Sequence, residues 1–250
     1  MNQHSLLCVF AHPDDETTVA PMLARYAAEG HKVSIACITS GQKGYRPHCG
    51  VPPGDELGAL RAAELRASCR ALGICEPYLL GFQDQGFSTN PVAGEVMARL
   101  REIVAETRAD VLLTWGPDGI TGHIDHRMAS NLASVLFAEQ RLLAHKPSKL
   151  YFLAFPESVF AENPNPLNRK SLYYLVADEF VTTEVDCRAH LEPALSAIRC
   201  HRTQWRPERM DQVHGMYANF FGGKVYLRLA LSRLPARPAL PRETSLFEGL

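Results

Sequence analysis

Residues 6–16, with the sequence LLCVFAHPDDE, decide the fold of this 250-residue chain. Residues 6–11 are apolar and rich in strand-forming side chains, so they are predicted to form a buried strand. The strand ends abruptly at the histidine of HPDDE, and a functional loop is expected there. Residues 21–29 then show the pattern of a helix, and residues 32–39 form a second strand-like run. This order indicates the opening of a β-α-β unit.

The same alternation of strand and helix continues along the first two thirds of the chain. Strands are predicted at residues 78–82, 111–115 and 149–155, and helices at residues 56–72, 94–107 and 126–138. Strands that alternate with helices form a mostly parallel sheet covered by helices on both faces. We therefore predict an α/β protein with a Rossmann-like, three-layer fold.

Beyond the last of these strands the alternation weakens. A helix is predicted at residues 188–203 and a strand at residues 224–231. We expect one domain, in which residues 1–160 form the Rossmann-like core and residues 161–233 form a smaller C-terminal portion that completes the pocket. The tail, residues 234–250, is rich in proline and is expected to lie extended along the surface or to be disordered.

The composition excludes several classes of protein. With 26 basic and 27 acidic residues, the chain has a net charge of -1 and lacks the basic field that nucleic acid requires. No apolar run approaches the roughly 20 residues that cross a bilayer, and the N-terminus lacks a signal-peptide pattern. Seven cysteines without a CxxC pair favour reduced thiols and a cytoplasmic location. The sequence leaves open whether the protein forms a homo-oligomer.

Polar clusters follow four of the predicted strands. AHPDDE follows the first strand, TSGQKG the second, GFQDQG the third and WGPDGITGHIDH the fourth. In sheets of this kind, ligands bind outside the carboxyl ends of the strands. The four loops are therefore predicted to converge on one edge of the sheet and to form the functional site there.

The histidines of these loops have the spacing of metal ligands. His12 and Asp15 are three residues apart, as are His123 and His126, so each pair can project from one side of a helical turn. Two histidines and one carboxylate form a catalytic zinc set, which leaves one position for water. Such sites also accept Fe²⁺ or Co²⁺. The alternative is that the acids of HPDDE only cap a helix.

The motifs AHPDDE and GHIDH together resemble those of the LmbE or PIG-L family of zinc-dependent N-acetylglucosaminyl deacetylases. TSGQKG, the pair Arg61 and Glu64, the LGFQDQG loop and the HRTQ sequence at residues 201–204 extend the resemblance over nearly the whole chain. The resemblance implies a metal-dependent hydrolase whose substrate is a small N-acetylglucosaminide.

The resemblance also assigns roles to individual residues. It implies that His12, Asp15 and His126 bind zinc and that Asp14 is the general base. It implies that His123 stabilises the transition state. Amide hydrolysis needs these parts on chemical grounds, because zinc acidifies its bound water, a carboxylate takes the proton, and a protonated histidine meets the oxyanion.

Further residues are candidates for the surroundings of the site. Asp125 is expected either to orient a histidine or to serve as a first-turn helix acid. By resemblance, Arg61 and Asp84 hold sugar hydroxyls at the rim of the pocket, although a solvated helix arginine and an ordinary turn would look the same. Lys43 is a candidate to hold an anionic part of the substrate. His201 either orients the site from the C-terminal helix or is a packed structural residue.

The sequence also departs from the family pattern, which bears on the substrate. Some mycothiol-pathway members have a tyrosine at the position of Thr121, and the family often has an acidic residue at the position of Asn219. We therefore expect N-acetylglucosaminyl-malate of the bacillithiol pathway slightly ahead of other substrates. The alternatives are an amidase of a larger thiol conjugate or acylated glycoside, and a non-catalytic, metal-containing sugar-binding protein.

The sequence lacks the motifs of three competing enzyme classes. A Rossmann oxidoreductase should show G-x-G-x-x-G after the first strand, where this chain has HPDDE. A serine hydrolase of the α/β type needs G-x-S-x-G, and a phosphate-binding NTPase needs G-x-x-x-x-G-K-S/T; the chain contains neither.

Overall fold

The computed structural model describes residues 2–139, 141–162, 173–235 and 241–250. In these ranges seven strands form one sheet: β1 Ser5–Phe10, β2 Lys32–Thr39, β3 Tyr78–Phe82, β4 Val111–Thr114, β5 Lys149–Leu153, β6 Thr183–Asp186 and β7 Lys224–Ser232. Their order is β3-β2-β1-β4-β5-β7-β6. The first five strands run parallel, whereas β7 pairs antiparallel with β5 and β6.

Helices cover both faces of the sheet. They are α1 Ala20–Ala28, α2 Asp55–Leu72, α3 Asn90–Thr107, α4 Gly119–Gly122, α5 Ile124–Ala138, α6 Glu157–Glu162, α7 Leu191–Ile198 and α8 Met210–Gly215. Helices α1, α2 and α7 pack against one another, whereas α3 packs against α5, and both contact β1. The predicted three-layer α/β fold with a mostly parallel sheet is confirmed. No helix in the described part of the chain is long and apolar enough to cross a membrane.

The packing of the core explains why residues 6–11 form an uninterrupted apolar run. Every residue of β1 is buried, because the strand lies at the centre of the sheet with a helical layer on each side. Leu6 and Leu7 are completely buried and Phe10 is 1% exposed. Burial of one such side chain contributes roughly 1.5–3 kcal/mol to folding. An uninterrupted apolar run is therefore what a central parallel strand requires.

The order of the strands also places the functional loops. The chain moves outward from β1 to β2 and β3 and then returns to β4 on the other side of β1. At this reversal the loops that follow β1 and β4 leave the same edge in opposite directions and open a crevice, which is where ligands bind in such sheets. The loop after β1 contains His12, whereas the segment after β4 contains His123, the N-cap of α5, and His126, in the first turn of α5.

Some elements differ from those that the sequence predicts. Strand β6 was not predicted, because its four residues are too few for a periodic pattern. The helix expected at residues 188–203 is shorter: α7 ends at Ile198, and His201 lies in the turn that follows it. Helix α5 begins at Ile124, two residues before its predicted start, because the side chain of His123 caps it by accepting a hydrogen bond from the backbone N–H of Asp125.

The expectation for the tail is wrong for residues 241–250, which pack against the sheet. Leu246 is completely buried, and Glu243 forms a β-bridge with Thr183. The Glu243 carboxylate lies 2.6 Å from Nζ of Lys149, a β5 residue that is only 2% exposed. Lys149 also donates to the hydroxyl of Tyr151 at 2.8 Å. This buried ion pair and the burial of Leu246 together tie the tail to the sheet. Residues 236–240 lie outside the described residues.

Glu243→Gln should destabilise the protein by about 3 kcal/mol, because it leaves the buried Lys149 ammonium without its counter-charge. Urea unfolding measures this loss as a lower midpoint, with an unchanged slope of the unfolding free energy against urea concentration. Glu192→Gln is the matched control, because Glu192 pairs with Arg199 on the surface, where an ion pair contributes less than about 1 kcal/mol. Equal midpoints for the two variants would show that the Lys149 pair does not hold the tail.

Candidate active site

Asp15 is the most firmly held side chain of the crevice. One of its carboxylate oxygens, Oδ2, accepts hydrogen bonds from the backbone N–H groups of Ala11 and His12 at 2.9 and 3.0 Å. The same oxygen accepts a third hydrogen bond from the indole N–H of Trp115 at 3.1 Å, at the end of β4. These three donors fix the carboxylate and leave its other oxygen, Oδ1, to face the histidines.

Oδ1 of Asp15 faces one nitrogen of each of two histidines. It lies 3.6 Å from Nδ1 of His12 and 3.3 Å from Nε2 of His126. The other nitrogen of each ring has its own acceptor: Asp125 Oδ2 lies 3.1 Å from Nε2 of His12, and the carbonyl of Gly119 lies 3.1 Å from Nδ1 of His126. In the neutral rings these acceptors fix the tautomers, so that both lone pairs lie on the side of Asp15.

This donor set fits a divalent metal. Ligand atoms of a tetrahedral zinc ion with bonds of 2.0–2.1 Å lie about 3.3 Å apart, close to the two spacings measured here. One ring nitrogen from each of His12, His123 and His126 also lies within 4.8 Å of the others, as does one ligand atom from each of His12, Asp84 and Asp125. Two imidazoles and one carboxylate are the ligands that zinc, iron and cobalt share.

The charges around His12 favour a cation at this place. Burial lowers the pKa of His12, but hydrogen bonds with Asp125, Asp15 and Asp84 outweigh it and raise the pKa well above its ordinary value. Burial raises the pKa of Asp15, whereas His126 and His12 hold it well below its usual range. The carboxylates therefore stabilise positive charge on or between the imidazoles, and a metal ion would supply that charge without a proton.

Asp14 has a strained backbone conformation. Its φ of 107° and ψ of -13° lie in the left-handed region, which side chains other than glycine rarely adopt. Arg61 holds Oδ1 of Asp14 at 2.8 Å, and the backbone N–H of Asp14 donates to Glu16 at 3.1 Å. The Asp14 side chain is 23% exposed, compared with 6% for Asp15. Burial nevertheless raises the pKa of Asp14, and Arg61 partly opposes this rise.

Arg61 lies behind Asp14, where it is 3% exposed, rather than at the rim where it was expected. Its guanidinium donates to the carbonyls of Pro13 and Gly41, in addition to Asp14. A Cβ atom at Gly41 or Gly44 would lie 2.2 Å from the guanidinium, so these glycines of TSGQKG allow its close approach. The conformation of the loop around Asp14 therefore depends on Arg61.

The HRTQ segment fastens the C-terminal portion to the same loop. His201 is completely buried, and its Nε2 lies 2.5 Å from Glu16, which also accepts a hydrogen bond from Ser68 at 2.6 Å. Thr203 donates through its backbone and hydroxyl to Glu64 on α2. Burial lowers the pKa of His201, but Glu16 outweighs it and raises the pKa. His201 thus contacts Glu16 and is not among the residues that line the cavity. The sequence contained Glu16 and Glu64 but no sign of what they bind.

His123 lies beside the two histidines that face Asp15. Its ring is 4.7 Å from that of His12 and 4.9 Å from that of His126, measured between centroids. Its Nδ1 accepts the backbone N–H of Asp125, so the proton of the neutral ring is on Nε2. Burial lowers the pKa of His123, and the neighbouring His12 and His126 lower it further. The structure therefore favours a neutral hydrogen-bond donor here.

Asp84 lies beside Nε2 of His12, the ring nitrogen that does not face Asp15, and Lys43 contacts Asp84. Asp84 is 4% exposed; its Oδ1 is 3.4 Å from Nε2 of His12, and its Oδ2 accepts the backbone N–H of Lys43 at 3.3 Å. Burial raises the pKa of Asp84, but the hydrogen bond with His12 outweighs it and lowers the pKa to about 2. The side chain of Lys43 is exposed. The predicted site residues other than Lys43 thus lie in or directly behind the crevice, and Lys43 contacts it through its backbone N–H.

A cavity of about 230 Å³ opens from this cluster. Its lining includes Asp14, Asp15, His126 and Thr121. The remaining lining is mostly apolar and comes largely from the C-terminal portion: Trp115, Ile120, Phe155, Phe160, Tyr173, Ile198, Trp205, Val213, Met216, Tyr217 and Phe221, with Thr17 and Thr18. Sequence reasoning missed this wall, because its members come from separate turns and short helices that share no motif.

A family model described as PIG-L, GlcNAc-PI de-N-acetylase, matches residues 7–137. A 1D-myo-inositol 2-acetamido-2-deoxy-alpha-D-glucopyranoside deacetylase of Thermomonospora curvata is 33% identical and covers 98% of this chain and 96% of its own. The protein with the same description from Acidothermus cellulolyticus is 30% identical, with coverage of 98% and 95%.

A solved structure shares the fold. The N,N'-diacetylchitobiose deacetylase of Pyrococcus horikoshii superposes with a TM-score of 0.65 at 26% sequence identity. The superposition covers 91% of this chain and 83% of the other. The similarity therefore extends beyond the motifs after β1 and β4 to the C-terminal portion.

The strain at Asp14 predicts an unusual order of stability. Asp14→Gly should be more stable than Asp14→Ala by about 1 kcal/mol, because only glycine adopts the left-handed conformation without steric cost. Urea unfolding of both variants in the same chelator measures the difference, since both lose the contact with Arg61 and the chelator keeps metal away from both. Asp14→Asn should fall between them, because asparagine tolerates this region better than alanine. An alanine variant as stable as the glycine variant would argue against strain.

Proposed function

The chain belongs to the PIG-L family of N-deacetylases, and we propose that it hydrolyses the N-acetyl amide of an N-acetylglucosaminide with a divalent metal held by His12, Asp15 and His126. The observation that carries the proposal is the position of Asp15 Oδ1, which faces one nitrogen of each of these histidines. Asp14 precedes this ligand directly and lines the same cavity. A metal site with an adjacent, non-ligating carboxylate is the arrangement that hydrolytic enzymes need.

Asp14 is the general base in this proposal. A metal ion bound at the site would polarise the amide carbonyl and acidify the attacking water. Arg61 holds Oδ1 of Asp14, which leaves Oδ2 to accept the proton of that water. Burial raises the pKa of Asp14 and makes it a stronger base than an exposed aspartate. Protonated Asp14 can then return the proton to the departing amine, which gives acetate and the free glucosamine compound as products.

His123 stabilises the oxyanion of the tetrahedral intermediate as a neutral donor. The backbone N–H of Asp125 occupies its Nδ1, which leaves the Nε2–H for the substrate oxygen. The lowered pKa of His123 does not suit the protonated histidine that is expected from the sequence. Asp125 orients His12, rather than His123, through its carboxylate. Its role is therefore to fix the tautomer of a metal ligand.

The sequence and the comparisons point to different aglycones. Thr121 favoured the malate compound, but the two relatives described above are deacetylases of the inositol compound. We therefore place N-acetylglucosaminyl-inositol first and N-acetylglucosaminyl-malate second. Asp14, in a strained conformation beside the donor set, favours an enzyme over a sugar-binding protein that has lost catalysis. Zinc is the first candidate among the metals, and the cytoplasm stays the expected location.

The proposal is tested by acetate release from N-acetylglucosaminyl-inositol, N-acetylglucosaminyl-malate, free N-acetylglucosamine and chitobiose. Release of acetate and free amine in equal amounts from at least one compound, and most rapidly from the inositol compound, is the expected result. A preference for the malate compound would reverse the order of aglycones. No hydrolysis of any compound by the metal-loaded protein would refute the proposed activity.

Metal content tests the donor set separately from activity. The purified protein should hold about one divalent ion per chain, and His12→Ala should hold only a small fraction of that amount. Elemental analysis after gel filtration measures both. His214→Ala is the control, because the side chain of His214 is exposed and no predicted ligand lies near it in sequence. If His12→Ala retained as much metal as the control, the ligand assignment would be wrong.

Asp14→Asn should retain the metal and lose activity. The amide cannot accept a proton, and general-base catalysis contributes ~10²–10⁴ in rate, so kcat should fall by that factor while metal content stays at the parental level. Steady-state kinetics on the best substrate and elemental analysis of the same sample give the two values. Parental turnover in Asp14→Asn would show that Asp14 is not the general base.

A further inference from the structure

We propose that the aglycone of the substrate is a polyol ring that binds outside the cavity, on a platform formed by Tyr174 and Arg127 at the mouth. The inference rests on the proposed hydrolysis of an N-acetylglucosaminide and specifies where the group attached to the sugar lies. Three observations carry it: the volume of the cavity, the position of its mouth and the state of these two side chains.

The sugar unit alone fills the cavity. The volume of the cavity is about 230 Å³, and its lining includes the proposed base, Asp14, and the proposed metal ligands Asp15 and His126. An apolar cavity of about 150 Å³ in another protein holds a benzene molecule, so this one holds roughly nine heavy atoms, fewer than one N-acetylglucosamine unit contains. A further ring attached to the sugar must therefore lie outside the cavity.

The covalent structure of the substrate restricts where the aglycone emerges. The amide nitrogen is bonded to C2 of the sugar, and the aglycone is attached through C1, the neighbouring carbon. An aglycone therefore leaves the cavity close to the amide that is hydrolysed. It must bind on the protein surface beside the catalytic cluster.

Thr121 marks the mouth of the cavity beside this cluster. Among the described residues that line the cavity it is exposed, whereas the others are buried or half-buried. His123, the proposed oxyanion donor, follows it by two residues. Between them lies Gly122, which has a φ of 76°, and a Cβ atom there would lie 3.2 Å from the ring of Tyr174. The glycine therefore allows the tyrosine ring to pack at the mouth.

Tyr174 and Arg127 are held in place but keep much of their surface free. The backbone N–H of Tyr174 donates to the carbonyl of Ile120 at 2.6 Å, and Ile120 lines the cavity. Nε of Arg127 donates to the carbonyl of Asp118 at 3.1 Å, and the guanidinium lies 5.7 Å from the centre of the Tyr174 ring. Tyr174 is nevertheless 52% exposed. A preorganised surface of this kind loses little conformational freedom when a ligand binds.

The chemistry of the platform suits a ring of hydroxyl-bearing carbons. An exposed tyrosine ring can pack against the C–H groups of such a ring and gains free energy from removing them from water. The hydrogen bond of Nε leaves Nη1 and Nη2 of Arg127 to donate to the hydroxyl oxygens of the aglycone. A carboxylate on the aglycone would use the guanidinium alone, whereas a polyol ring uses both side chains.

The test compares N-acetylglucosaminyl-inositol with free N-acetylglucosamine, which share the reacting amide and differ in the aglycone. The parent should favour the inositol compound by at least about tenfold in kcat/KM. Tyr174→Ala should lower this ratio by about fivefold, because the aglycone loses its apolar contact, and Arg127→Met should lower it by about threefold. The loss should come mainly from a higher KM for the inositol compound, since the platform touches no atom of the bond that breaks.

Tyr174→Phe and Tyr45→Ala are the controls. Tyr174→Phe retains the ring and should keep the ratio within about twofold of the parental value. Tyr45 is 43% exposed in the loop after β2, two residues after Lys43, and is not among the residues that line the cavity. Tyr45→Ala should therefore leave the ratio unchanged. Elemental analysis should give the parental metal content for each variant, and Tyr174→Ala decides alone if Arg127→Met loses metal.

The outcomes separate the two proposals. Equal kcat/KM for the two compounds in the parent, or a parental ratio in Tyr174→Ala, would overturn the inference and leave the proposed deacetylase activity intact. A ratio that falls in Tyr45→Ala instead would place the aglycone on the side of Lys43 and would also overturn it. A preference for the malate compound that depends on Arg127 alone would place an anion on the platform and would contradict the polyol ring. Hydrolysis of none of these compounds would refute the proposed function itself.

Discussion

Three N–H donors hold one carboxylate oxygen of Asp15, and the rest of the site is arranged around this side chain. Two of the donors are backbone groups at the end of β1, and the third is the indole of Trp115 at the end of β4. The carboxylate therefore links the two strands at the point where the order of the sheet reverses. With one oxygen occupied in this way, the other can only face His12 and His126.

A second set of contacts keeps Asp14 in a conformation that its backbone alone would not adopt. Arg61 reaches through the loop after β2, where two glycines leave space for its guanidinium, and binds the carbonyl before Asp14 as well as its side chain. Glu16 binds the backbone N–H of Asp14 and is itself held by His201. Backbone strain of this kind persists only where the surroundings overdetermine it, and here it separates Asp14, the proposed base, from its neighbour Asp15, the proposed metal ligand.

The two halves of the chain contribute different properties. The parallel strands β1 to β5 position the charged groups, because the loops at one edge of a rigid sheet cannot move far apart. The C-terminal portion supplies most of the apolar wall and is fastened to the core by the buried contact of His201 with Glu16, whereas the contact of Lys149 with Glu243 fastens the tail. Substrate preference can therefore change through the wall while the charged cluster stays as it is.

The sequence by itself determined the layers of the fold and the place of the site. Long runs with a clear period predict β1, β2 and α2, and the rule for parallel sheets brings HPDDE and GHIDH together. Only the tertiary structure decided that Arg61 lies behind Asp14, that Asp125 orients His12, and which turns form the cavity wall. These features depend on contacts between residues more than 40 positions apart, and their short, aperiodic segments carry no local signal. A periodic pattern records which face of an element is buried, but not which side chain it will meet.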